Sequence, residues 1–109
     1  LNWGVFFMSI SILFTSVLTT ELLEKHLSNI EQPIHQIFFH SRALESDFAT
    51  IDTTLQKFIT HQGIVHVAYC GSALEKRQIS SALIPSYIKP NGLTEFYTQL
   101  HSAPSLVQF

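Results

Sequence analysis

Cysteine is almost missing from this chain: Cys70 is the only one in 109 residues, so no intrachain disulfide can form. Charge is scarce too. Charged residues make up 13% of the sequence, the formal net charge is −2, and no basic stripe gathers, which excludes the electrostatic footprint of a nucleic-acid binder. Repeats, low-complexity tracts and blocks of like charge are lacking. So are a phosphate loop, a dinucleotide fingerprint, an HExxH motif, a Gly-x-Ser-x-Gly elbow and paired catalytic carboxylates. The chain therefore reads as non-enzymatic and without a cofactor.

Six histidines are many for this length, yet His35 with His40, and His61 with His66, miss the i, i+4 spacing that sets two ligands on one helix face. They read as surface or packing residues rather than a metal site. Cys70 has no defined base beside it in the sequence, and on a strand His66 lies four positions away, too far for direct contact. A buried inert thiol is the expectation.

What the sequence does have is an opening run without a single Asp, Glu, Lys, Arg or His, from Leu1 to Thr20. As a helix it would be about 30 Å long, the thickness of a bilayer's hydrocarbon core. Trp3 suits the headgroup level near one end, and the first charges, Glu21, Glu24 and Lys25, follow the other. A cleaved signal peptide fits less well, because no basic residue precedes Lys25 and no alanine precedes Ala43. Residues 1–20 are thus expected to be a transmembrane anchor. The acid-rich flank favours placing residues 21–109 outside the cytoplasm, as a partial sensor-like domain of a single-pass bacterial inner-membrane protein.

Beyond the anchor, Leu23, Leu27, Ile30, Ile34, Ile37 and Leu44 follow alternating steps of four and three, interrupted at Ser41. That period predicts a long helix continuing from the membrane, kinked or split at Pro33, and a possible homodimer seam. Ser46 or Asp47 could cap a following turn, and Asp52 or Thr53 a shorter helix with Leu55, Phe58 and Ile59 inward, ended by Gly63. Ile64–Cys70, IVHVAYC, is the best strand in the chain, and Gln78–Ile84 reads as its antiparallel return before Pro85. The expected class is α+β: membrane helix, long helix, short helix and an antiparallel hairpin.

The run from Phe48 to Pro85, FATIDTTLQKFITHQGIVHVAYCGSALEKRQISSALIP, resembles the CSS-motif periplasmic sensor domain of EAL-type cyclic di-GMP phosphodiesterases. Ser80 and Ser81 stand where that family has paired serines. The family's two cysteine positions are occupied near Phe48 and at Ile79, so its disulfide control does not carry over; Cys70 lies on the preceding strand. The resemblance implies a membrane-anchored signal-input domain for a cyclic di-GMP phosphodiesterase output that lies elsewhere, with apolar contact between Phe48 and Ile79 in place of the bridge. The alternative is a one-pass envelope protein that binds and stabilises a partner in a regulatory, secretion or pilus assembly complex.

Overall fold

The computed structural model describes residues 9–109. Strands and helices alternate: β1 (Ile10–Phe14), α1 (Thr20–Ser28), β2 (Ile34–Phe39), α2 (Phe48–Gln62), β3 (His66–Cys70), α3 (Gly71–Lys76), β4 (Lys89–Asn91), α4 (Leu93–Gln99) and β5 (Ser105–Gln108). Short 3-10 turns occupy Ser41–Glu45 and Ser81–Leu83. The five strands form one parallel sheet in the order β4-β3-β2-β1-β5.

Parallel neighbours need crossover connections, and these are right-handed almost without exception. From β1 to β4 the chain steps in one direction, which keeps α1, α2 and α3 on one face; the return to β5, beyond β1, carries α4 to the other. The packing agrees. Phe14 of β1 meets His26 of α1, Phe39 of β2 meets Phe48 of α2 edge-on at 5.4 Å, and Phe38, pointing the opposite way, stacks on Phe96 of α4 at 5.0 Å.

Local chemistry sets the helix ends. Thr19 caps α1 by accepting the Leu22 N–H, and Asp47 caps α2 by accepting from Thr50. Gly63 closes α2 as expected, in the left-handed region at φ 67°. Inside the sheet, Ser11 donates to the Ala103 carbonyl at 3.0 Å and accepts from the Gln36 side chain at 2.9 Å, so the polar residues buried under α4 are paired.

This architecture overturns the expected α+β class. Positions 1–8 of the supposed anchor lie outside the described residues; positions 10–14 are a strand, and among the described residues no helix is long and apolar enough to cross a membrane. The single-pass inner-membrane placement and the membrane-helix reading fall with it. The physical reason is that a central parallel strand is covered on both faces, so ISILF carries no polar alternation to tell it from lipid-facing helix. Ser11, Ile12 and Phe14 are all fully buried.

Nor is there a long helix after it. The chain leaves α1 at Ser28, passes Pro33 and enters β2. The expected dimer seam is a string of core positions from different elements: Leu23 and Leu27 on α1, Ile34 and Ile37 on β2 and Leu44 in the 3-10 turn are buried, and Ile30 packs against them from the intervening loop. The antiparallel hairpin is likewise replaced. β3 pairs in parallel with β2 and β4, residues 71–76 are helical, and Gln78–Ile84 contains a 3-10 turn instead of a strand.

Candidate functional site

Open parallel sheets bind ligands beyond the carboxyl ends of their strands, where the connecting loops diverge. Here β2 and β3 end side by side. Their register pairs Phe38 with Ala68 and ends at Phe39 with Tyr69; His40 and Cys70 are the residues that follow along the two chains. On the other side the register sets Cys70 beside Asn91 of β4. Cys70 and Asn91 are therefore paired at the carboxyl edge, and His40 is the first residue beyond the end of β2.

Cys70 is the last residue of β3 and the N-cap of α3, where its side chain makes no capping hydrogen bond. Its thiol lies 3.4 Å from the Ser72 hydroxyl, and 3% of the residue is exposed. His40 is half-buried and shares a 2.8 Å hydrogen bond between Nδ1 and the Ser41 Oγ. Burial, and then the positive charges of Arg77 and Lys76, lower the His40 pKa, so its ring is neutral at neutral pH.

Two non-glycine residues flank this edge in the left-handed region: Ser41 at φ 54°, directly after β2, and Gln78 at φ 56°, after α3. Each costs about 1–2 kcal/mol and persists only where the surroundings hold it. The Ser41 conformation turns the chain sharply out of β2 and leaves the edge above Cys70 bounded by the 3-10 turn. Arg77 Nε approaches Glu45 at 3.5 Å, tying the end of α3 to that turn, with both side chains part-exposed.

Phe48 starts α2 and meets Phe39; Ile79 packs partly buried in the loop after α3. Ser80 caps the 3-10 turn by accepting the Ala82 N–H at 3.2 Å, and Ser81 begins that turn. The histidine pairs also re-sort. A bulge between β1 and β2 makes His35 the extra residue, and it meets His66 with ring centroids 5.0 Å apart while Nε2 hydrogen-bonds Gln99 Oε1 at 2.8 Å.

Cys70 is buried as expected, but its position at a strand-to-helix turn was not read from the sequence. Its signal lay in the residues just after it: Ala73, Leu74, Glu75 and Lys76 are strong helix formers, so strand, then Cys-Gly-Ser, then helix reads as a βα unit with the thiol at its turn.

These features define a small α/β domain with a five-stranded parallel sheet, helices on both faces and a thiol at the carboxyl edge. In overall fold it is similar to the crystal structure of the YchN protein from E. coli, with a TM-score of 0.61 and 17% identity over 94% of this chain and 99% of that one. No protein-family model matches the sequence, and no curated protein matches it. The likeness to YchN concerns the fold.

Proposed function

We propose that this domain is a single-thiol carrier: Cys70 takes one sulfur atom from the persulfide of a donor protein and passes it to the thiol of an acceptor. The observation that carries this reading is the placement of the chain's sole cysteine at the carboxyl end of β3 and the start of α3, paired with Asn91 of β4. One cysteine leaves no partner thiol to resolve a bond within the chain, which disfavours dithiol–disulfide redox chemistry and leaves exchange at one sulfur.

In the first step the Cys70 sulfur attacks the outer sulfur of the donor persulfide. A new S–S bond forms at Cys70, the donor's S–S bond breaks, and the donor leaves as a thiolate. In the second, the acceptor thiolate attacks the outer sulfur on Cys70, and the Cys70 thiolate is released. Electrons balance within each exchange, so no external oxidant enters. His40, kept neutral by burial and by Arg77 and Lys76, follows the end of β2, and Cys70 ends β3, so both belong to the carboxyl edge at which the exchange would take place. The domain relays a group between partners and does not turn over a substrate alone.

The test is to treat the purified native protein with inorganic polysulfide and weigh it intact. The expected result is a gain of one sulfur atom, removed by dithiothreitol and absent in Cys70→Ser. A Cys70 that stays unmodified while native, yet is alkylated in full after denaturation, would show an inert core thiol and end the proposal.

A further inference from the structure

The sheet has two edges, and they are built differently. β4 is three residues long, Lys89–Asn91, and carries a lysine and a proline, two of the devices by which proteins stop a strand edge from recruiting another strand. β5, Ser105–Gln108, has the sequence SLVQ, with neither charge nor proline. Among the described residues it is hydrogen-bonded to β1 on one side, and nothing pairs with its outer side.

The direction of its backbone groups follows from the ladder. Phe109 donates its N–H to the Leu13 carbonyl at 2.9 Å and accepts from the Thr15 N–H at 2.8 Å, so both its groups face β1. Successive residues of a strand in a parallel pair alternate, so Ser105 and Val107 also face β1 while Leu106 and Gln108 turn N–H and C=O outward. Leu106 is 44% exposed. The arrangement is its own complement. Turned about a twofold axis through Val107, Leu106 of one copy meets Gln108 of the other, each pair exchanging two hydrogen bonds, and no like charges oppose each other.

We propose that β5 is the interface through which a second copy of this chain docks, antiparallel, joining two five-stranded sheets into one. Beside the strand, on the α1 side, Val107 and Phe109 line a depression of about 570 Å³ with Ile10 and Ile30. A twofold-related strand brings its own Val107 to the rim of that depression and covers apolar lining. Closed pairing of this kind uses up the unguarded edge in both copies, where open pairing would recruit further chains.

The experiment measures the mass of the full chain in solution by light scattering across a range of concentrations, together with amide exchange. The expected mass is twice that of one chain, or an even multiple, with slow exchange at Leu106 and Gln108. Leu106→Lys is expected to halve the assembly and release both amides, with the circular dichroism spectrum retained. Leu106→Pro is the second variant, since it removes an outward N–H and leaves the β1 ladder its donors. A wild-type monomer, an odd-numbered assembly, or a dimer indifferent to both substitutions would overturn the proposal. So would protection of these amides in a monomer, which would place another part of the chain on the edge.

Discussion

The rings of His26 and Phe109 stack with centroids 4.0 Å apart, and Phe109 lies in turn 5.7 Å from Phe14. The contact ties α1 to the residue that follows β5, and it makes the fold sensitive to acid. Burial first, and Lys25 second, lower the His26 pKa from 6.5; burial first, and then Arg77 and Lys76, lower that of His40. In the unfolded chain both rings protonate near 6.5, so below that value the unfolded state binds more protons. The stabilisation is complete above about pH 6.5 and is lost as pH falls from there through the folded-state values. Thermal melts are expected to shift downward over that interval, and His26→Gln to flatten the shift. A melting temperature indifferent to pH there would contradict this account.

Phe96 is the buried anchor of α4, stacked on Phe38. Removing the ring in Phe96→Ala is expected to cost about 3–5 kcal/mol, as for other buried phenylalanines. Urea denaturation measures the loss. A cost below about 1 kcal/mol would mean that α4 contributes little to holding β1 and β2.

The polar pair under α4 gives a sharper test. Ser11→Ala takes away the acceptor for one Gln36 N–H and the donor to the Ala103 carbonyl, an expected cost of about 1–3 kcal/mol. Gln36 keeps a 3.2 Å bond to the Phe96 carbonyl. With Gln36→Leu added, the stranded amide disappears, and the double variant is expected to lose less than the sum of the two single losses. Additive losses in a double-mutant cycle would show the two side chains to be independent.

How far the sequence could be read depended on what each segment packs against. The inward Leu55 of α2, the Gly63 stop and the β-branched and aromatic run Ile64–Cys70 that holds β3 were legible, because each is a local signal with a local cause. ISILF was not. Buried on both faces and preceded by further apolar residues, it has the composition of a membrane segment, and its pairing with β2 and β5 is written some 25 and 95 positions downstream. Leu23, Leu27, Ile34 and Ile37 kept a coiled-coil spacing across a helix, a turn and a strand, and Pro33 was the clue that the spacing crossed a boundary. The pairing of Cys70 with Asn91 was hidden for a different reason. Strand register brings together residues about 20 to 30 positions apart, and nothing local to any of them states it.

Because β1 sits between β2 and β5, the first strand and the last are hydrogen-bonded neighbours. A ribosome therefore releases β1 with one flank waiting until residues 105–109 emerge, and long-range pairing of this sort is the slow part of folding. During synthesis the bare side of ISILF is a natural grip for a chaperone until β5 arrives to cover it.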